Sequence, residues 1–230
     1  MAYWDEGNPA EEYAVPGDIV DAVFSISCRS LPVDHAYALS QAIRAELPWF
    51  AAEARAGLHL IHGADSGSGW MRPEGTNALL QLSRRTKLTL RLPQHRLADA
   101  RALLGRRLDV AGHALRVDRL AQRPLSRITT LFSRCVMIPD CGDEADFLRV
   151  AAAQLGTLGI QTRKMLCGRT TAIATPGRTL LTRSLMLAGL TLEHSVLVQQ
   201  QGLGAERTLG CGLFVPHKDI NDLRQKQDFS

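Results

Sequence analysis

The chain has 230 residues, of which 45% are hydrophobic, and a formal net charge of +4, which predicts a globular protein of one large domain or two small ones. It contains no apolar run as long as a bilayer span, and its first residues are acidic, so we expect neither a transmembrane segment nor a signal peptide, and a cytoplasmic location. Five scattered cysteines without a Cys-x-x-Cys motif argue against a disulfide or zinc framework.

The basic charge of the chain is concentrated after its first segment. All five charged residues within residues 1–18 are acidic, so residues 19–230 carry 27 basic against 18 acidic side chains, a net charge of +9. Of the 27 basic residues 23 are arginine, whose planar guanidinium binds phosphate through two hydrogen bonds and stacks on bases. This composition predicts a nucleic acid as partner, with a solvated basic surface as the alternative.

Residues 1–17 are an acidic lead-in, and regular structure is expected from Asp18 onward. Alternating apolar residues predict strands, and apolar residues at helical spacing after a capping residue predict helices. The elements expected in a first unit, residues 18–124, are a strand at 19–28, a helix that Asp34 caps and Pro48 ends, strands at 58–62 and 86–92, a helix at 94–104 and further strand material at 108–120.

The same order recurs in a second unit, residues 125–218, and residues 219–230 form a tail. Two β-α-β-β-α-β units predict an α+β fold of tandem ferredoxin-like, or RNA-recognition-like, units. The elements expected in the second unit are a strand at 128–138, a helix at 143–158, strands at 160–167 and 179–187, a helix at 191–201 and a last strand at 213–215.

A glycine-rich loop lies between the last predicted helix and the last strand, with four glycines in eleven residues. Glycines let several backbone N–H groups converge on one anion, so the loop predicts a phosphate site. The residues expected to bind there are Gly202, Gly204, Arg207, Gly210 and Gly212. The order helix, loop, strand fits neither a dinucleotide fingerprint nor a Walker loop, so no cofactor is expected.

Two further groups of basic residues are expected to bind RNA through its backbone. On the strand at 86–92, Lys87 and Arg91 share the polar face, and Arg84 and Arg85 precede it. Like charges in a row repel each other unless something negative lies across them, although a solvated strand face is the alternative. A hairpin that grips an RNA stem is expected to carry the second group: Arg163, Lys164, Arg169, Arg178 and Arg183.

Three segments together carry a resemblance to a known family: residues 31–39, from Leu31-Pro32-Val33-Asp34-His35 to Leu39; residues 88–93; and residues 202–218, which include Gly210-Cys211-Gly212 and Phe214-Val215-Pro216. They resemble the RAMP superfamily, and specifically the CRISPR-associated endoribonucleases that cut repeat RNA into guides, of the subfamily found with type I effector complexes. The resemblance runs from Asp18 to Lys218, and the C-terminal loop is its most specific element.

The resemblance implies a metal-independent cleavage of RNA. The ribose 2′-hydroxyl would attack the adjacent phosphate and leave a 2′,3′-cyclic phosphate and a 5′-hydroxyl, and the processed guide would stay bound. The implied partners are CRISPR repeat RNA, mature guide RNA and other subunits of a type I effector complex, with no membrane. Such a reaction needs a base, an acid and positive charge at the phosphate.

His35 is the expected catalytic residue. It is placed in the first turn of the first helix, where the helix dipole disfavours the imidazolium form, and the family commonly places its histidine on this helix. A first-turn histidine that faces solvent or bonds the backbone is the alternative. The family often adds a tyrosine or lysine, but this helix has no lysine and Tyr37 faces away from His35, so Arg44 or a more distant residue would supply the charge.

Other functions stay open at this point. His59 and His62 lie three residues apart on a predicted strand and would point to opposite faces, so no metal site is expected. One alternative is a catalytically silent RAMP subunit that binds and caps guide RNA within an effector complex. Another is a ferredoxin-like domain that binds a small anionic metabolite, for which RNA affinity would depend little on salt.

Overall fold

The computed structural model describes residues 13–63, 78–162 and 164–217, which form two lobes. The first lobe is built on a five-stranded antiparallel sheet in the order β3-β5-β1-β7-β6. Its elements are β1 (Ile19–Ser27), β2 (Ser30–Pro32), α1 (Ala36–Glu46), β3 (Gly57–His59), β4 (Leu79–Gln81), β5 (Lys87–Pro93), α2 (Leu97–Ala100), β6 (Arg107–Val110) and β7 (His113–Arg123), with β2 and β4 paired apart from the main sheet.

The second lobe has a four-stranded sheet in the order β11-β8-β10-β9. Its elements are β8 (Leu131–Val136), α3 (Glu144–Thr157), β9 (Lys164–Thr175), β10 (Arg178–Ala188), α4 (Leu192–Gln201) and β11 (Val215–Pro216). The two long strands β9 and β10 form a hairpin that extends toward the first lobe, where the Ala174 N–H donates to Asp34 Oδ2 at 2.9 Å.

The order of elements follows the sequence prediction, and the differences have local causes. Asp34 does not cap α1, because its carboxylate accepts the Ala174 N–H from the other lobe, and His35 is the N-cap residue instead. The predicted helix at 94–104 is three short turns, with 3₁₀ turns on both sides of the four-residue α2. The pairing of β2 with β4 was not predicted from the sequence.

Each lobe has its own hydrophobic core, and a third apolar cluster joins them. In the first lobe, α1 buries Leu39 and Ile43 against the sheet, and in the second, α3 buries Phe147 and Leu155. The joining cluster contains buried residues from both lobes: Ala36, Cys135, Ile173, Leu180, Leu209 and Cys211. The space between the lobes is therefore partly filled by apolar contacts, which fix how the two sheets face each other.

Arg91 lies where the two lobes meet, a region called the joint below. Its side chain is not exposed to RNA, contrary to the prediction. Its side chain is 1% exposed and forms an ion pair with Asp21 of β1, with Nε 2.9 Å from Oδ1. Its Nη1 also donates to the carbonyls of Gln199 and Phe214 in the second lobe, at 3.0 and 2.8 Å. The alternation of β5 did place Arg91 opposite the leucine face, but the second lobe covers that face at this position, so the prediction for Arg91 is wrong.

The Asp21 carboxylate is the ion-pair partner of Arg91. It also accepts a hydrogen bond from Arg123 at 3.0 Å. Burial by itself would raise the pKa of Asp21, but the charge of Arg91 and the contacts with His59 and Arg91 together outweigh this effect and hold the pKa well below its ordinary value. Asp21 is therefore ionised at neutral pH, and the buried charges compensate each other.

Replacing Arg91 with alanine should destabilise the protein by about 3–5 kcal/mol, because Asp21 and two carbonyls from the other lobe lose a buried donor. Arg116→Ala is the matched control, since that arginine has a 68% exposed side chain and pairs with Asp118 at the surface. Its loss should cost at most about 1 kcal/mol. Urea denaturation followed by circular dichroism measures both values, and equal stability of the two variants would contradict the role of Arg91.

Candidate active site

A cleft of about 330 Å³ lies between the lobes and is lined by residues of both. The first lobe contributes the start of α1 and the segment after β3, and the second contributes β8 and the β9–β10 hairpin. The polar side chains that line it are Asp34, His35, His62, Arg134, Arg169, Thr171 and Ser184, beside apolar residues such as Leu60 and Ile173. The cleft thus brings imidazoles from one lobe opposite guanidinium groups from the other.

His35 lies at the wall of the cleft and is only 3% exposed. Its Nδ1 is 2.9 Å from the Pro32 carbonyl, and the Ile61 N–H donates to its Nε2 at 3.2 Å. An N–H donor at Nε2 requires a lone pair there, so the ring is neutral and carries its proton on Nδ1. The imidazole thereby connects the start of α1 to the segment that contains His62.

The cleft continues into a neighbouring pocket of about 220 Å³. His62 and Arg134 line both spaces, and the second is also lined by His59, Arg123 and Thr89. The Arg134 guanidinium lies 5.8 Å from the centroid of the Phe132 ring, which holds it at the boundary between the two. The two spaces form one groove with cationic side chains from β7, β8 and β9.

Arg123 and Arg134 were not selected as binding residues from the sequence. The sequence does contain an indication of this role, because both lie within residues 119–139, a stretch with four arginines and no Asp or Glu. A position along the chain could not show that β7 and β8, which belong to different lobes, face the same groove.

His59 lies at the far part of the groove, next to the joint between the lobes. Its Nε2 is 3.5 Å from Asp21 Oδ1, too long for a good hydrogen bond. Burial lowers the pKa of His59 and the positive charge of Arg91 adds to this effect, which the neighbouring Asp21 carboxylate opposes only in part. This imidazole is therefore neutral at physiological pH.

The glycine-rich loop does not present free amides to a phosphate, so that prediction is wrong. The four glycine N–H groups already bond to the protein: Gly202 to the Val198 carbonyl, Gly204 to Gln154 Oε1, Gly210 to the Arg207 carbonyl and Gly212 to the Cys135 carbonyl. The glycines are needed because the backbone turns with positive φ and passes close to other backbone. A Cβ on Gly212 would lie 2.0 Å from the Leu203 carbonyl oxygen.

Arg207 is also part of the joint and was wrongly predicted to bind RNA. Its guanidinium donates to the carbonyls of Arg55 and Ala56 in the first lobe and to those of Gln200 and Gln201 at the end of α4. Burial, with a smaller effect of the nearby charges of Arg91 and Arg55, lowers the pKa of Arg207 to about 10, so it stays charged at neutral pH. Close by, Arg44 donates to Thr208 Oγ1.

The remaining predicted cations do not form a single surface. Arg169 lines the cleft, whereas Arg178 and Arg183 line a separate pocket of about 430 Å³, where Arg178 pairs with Glu206 at 2.7 Å. Lys164 and the group Arg84, Arg85 and Lys87 are exposed, and Arg163 lies outside the described residues. Of the predicted site residues within the described ranges, His35 and Arg169 are the two that line the cleft.

The sequence and the fold were compared with known proteins. A family model described as Cas6 Crispr matches residues 20–219. Over 197 residues the chain is 33% identical to a CRISPR-associated endonuclease Cas6 from Myxococcus xanthus (strain DK1622), covering 86% of this chain and 81% of that protein.

Two solved structures share the fold. One is described as CRISPR associated protein Cas6, with a TM-score of 0.59 and 10% identity, covering 87% of this chain and 99% of that one. The other, described as an RAMP protein binding different RNA substrates, has a TM-score of 0.58 at 11% identity and the same coverage. The predicted α+β fold of tandem ferredoxin-like units is confirmed. Among the described residues, no helix combines the length and the apolar character that a membrane crossing requires.

Replacing Gly212 with alanine should destabilise the protein by at least about 2 kcal/mol, because φ is +69° and the added Cβ would collide with the Leu203 carbonyl. The matched control is Gly156→Ala within α3, where a Cβ meets nothing within 4 Å and should stabilise the helix by about 0.5–1 kcal/mol. Urea denaturation measures both. Unchanged stability of the Gly212 variant together with weakened RNA binding would instead support a phosphate site in the loop.

Proposed function

The chain belongs to the Cas6 family of CRISPR-associated RAMP proteins, and from this premise we propose that it is an endoribonuclease that binds CRISPR repeat RNA and cuts it into mature guide RNA. The family predicted from the sequence is thereby confirmed. Association with a type I system and with other subunits of an effector complex belongs to the proposal.

The observation that carries the proposal is the pairing of side chains in the cleft. His35 and His62 come from the first lobe, and Arg134 and Arg169 come from the second. Imidazoles can transfer protons near neutral pH, and guanidinium groups stabilise the additional negative charge of a pentavalent phosphate. Together these groups can provide the base, the acid and the positive charge that cleavage of RNA by its own 2′-hydroxyl needs.

We propose His35 as the general base. Its Nδ1–H bond to the Pro32 carbonyl fixes the tautomer, so that Nε2 carries the lone pair that can accept the proton of the 2′-hydroxyl. In the free protein that lone pair accepts the Ile61 N–H at a long distance of 3.2 Å. The RNA hydroxyl would replace this weak bond when the substrate enters, since catalytic hydrogen bonds commonly tighten or rearrange in the bound complex.

The attack by the 2′-oxygen on phosphorus breaks the bond to the 5′-oxygen and yields a 2′,3′-cyclic phosphate and a 5′-hydroxyl. The nucleophile comes from the RNA itself, and protein side chains provide the proton transfers and the positive charge, so the proposed reaction requires no metal ion. The arginines of the groove would contact the product as well as the substrate, which supports retention of the guide RNA.

One observation favours a second candidate, an RNA-binding subunit without catalysis. Both ring nitrogens of His35 bond to the backbone, and the side chain is nearly inaccessible. A histidine whose role is only to hold the Ile61 segment would look the same. The two candidates share the cleft and differ in whether the bound RNA is cut.

Incubation with its cognate repeat RNA in EDTA should give one cut with a 2′,3′-cyclic phosphate, identified by mass spectrometry. His35→Gln should slow single-turnover cleavage by at least about 100-fold, because a general base contributes about 10²–10⁴-fold, while RNA affinity changes little. His113→Gln, outside the cleft, is the control. Tight binding of uncut RNA by the natural protein would establish the silent subunit instead.

Arg134→Gln and Arg169→Gln should each weaken RNA binding and make it less sensitive to salt. Each lost phosphate contact lowers the slope of log affinity against log salt concentration by about 0.7 for single-stranded RNA. Filter binding between 50 and 300 mM salt, roughly the range over which counterion release dominates, measures the slope. Arg149→Gln, a surface residue of α3 paired with Asp146, serves as control. Unchanged slopes for both cleft variants would place the RNA elsewhere.

A further inference from the structure

We infer that His62 is the general acid of this site, the group that donates a proton to the 5′-oxygen as it leaves. The inference rests on the proposed function, since it assigns the second proton transfer of that reaction. From the sequence, His62 was considered only as a possible metal ligand. The inference follows from its position in the cleft between the lobes.

The other groups of the cleft are poorly suited to deliver a proton. The Asp34 carboxylate is already engaged by the second lobe, since it accepts the Ala174 N–H at 2.9 Å. The hydroxyl groups of Thr171 and Ser184 are very weak acids, and the Cys135 thiol is only 6% exposed. Among the described residues no lysine lines the cleft, and Tyr37 packs against the apolar cluster that joins the lobes. A histidine is the remaining side chain with a suitable proton.

His62 lies at the junction of the cleft and the neighbouring pocket. It lines the cleft together with His35 and also lines the neighbouring pocket, so it lies where the two spaces meet. Its side chain is half-buried, which leaves part of the ring accessible to RNA. The preceding residue, Ile61, is 2% exposed, and its N–H bonds to His35 Nε2, so the segment that carries His62 is anchored to the proposed base.

The titratable and charged groups that line the groove with His62 come from all of its walls. Asp34 and His35 lie on the side of α1, Arg134 on β8 and Arg169 on β9, with His59 and Arg123 in the neighbouring pocket. In the bound complex the negative charge of the scissile phosphate would lie beside His62, where it favours the imidazolium that the acid role requires.

Two proton transfers accompany the exchange of bonds at phosphorus. The 2′-hydroxyl proton passes to His35 Nε2 while the 2′-oxygen forms its bond to phosphorus. The bond between phosphorus and the 5′-oxygen breaks, and that oxygen takes the proton of the His62 imidazolium. His35 is then charged and His62 is neutral, and proton exchange with water restores both.

The test compares two RNA substrates that differ in one atom. The first is the cognate repeat RNA, and the second has sulfur in place of the 5′-oxygen at the mapped cleavage position. A thiol has a pKa of about 8.5, far below that of an alcohol, so a thiolate leaves without a proton donor. His62→Gln should slow cleavage of the oxygen substrate by at least about 100-fold and should restore a rate near that of the natural protein with the sulfur substrate.

His35→Gln is the internal comparison, because loss of a base slows cleavage of both substrates. His95→Gln is the matched control, since its 69% exposed side chain lies beside Glu53, away from the cleft, and both rates should stay unchanged. Circular dichroism and RNA affinity show whether each variant is folded and binds.

Each other outcome overturns the assignment in a distinguishable way. Normal cleavage of the oxygen substrate by His62→Gln means that His62 is dispensable. An equal loss with both substrates in a folded variant means that His62 binds or positions RNA and donates no proton. If the natural protein binds but cuts neither substrate, the proposed function has failed and the acid assignment falls with it.

Discussion

Arg91, which is buried, and Arg207, which is half-buried, both bond to the end of α4 and hold the two lobes against each other, and the cleft between the lobes depends on these contacts. The last carbonyls of a helix have no partner within the helix, and the helix dipole makes this end negative. Arg91 and Arg207 donate to the carbonyls of Gln199, Gln200 and Gln201. Arg91 belongs to the first lobe, and Arg207 bonds to carbonyls of that lobe, so the same contacts cap α4 and fix one lobe against the other.

The glycine-rich loop positions Arg207 for these contacts between the lobes. Its positive φ angles at Gly202, Gly204, Gly210 and Gly212 fold the chain back on itself, and this returns Arg207 to the end of α4. The loop is the most distinctive part of the sequence because few residue types can follow such a path. Its glycines serve contacts with the protein's own backbone.

The site requires both lobes. The imidazoles are carried by the start of α1 and the segment after β3, whereas Arg134 and Arg169 are carried by β8 and β9. The contact between Asp34 and the β9 backbone keeps the hairpin against the start of α1. A change in the angle between the lobes would therefore separate the proposed proton-transfer groups from the charge that stabilises the phosphate, even with each lobe intact.

The sequence by itself determined the order of elements, the α+β class and the basic character of the folded part, because these follow from local periodicity and composition, and the resemblance of three segments indicated the family. It also placed His35 at the start of α1 and Arg91 on the non-leucine face of β5. Only the tertiary structure decided that Arg91 and Arg207 bond to backbone carbonyls where the lobes meet, that the glycine amides are already bonded, and that His62, Arg134 and Arg169 share a cleft. The physical reason is that alternation along a strand distinguishes its two faces but does not reveal which parts of a polar face a second lobe covers.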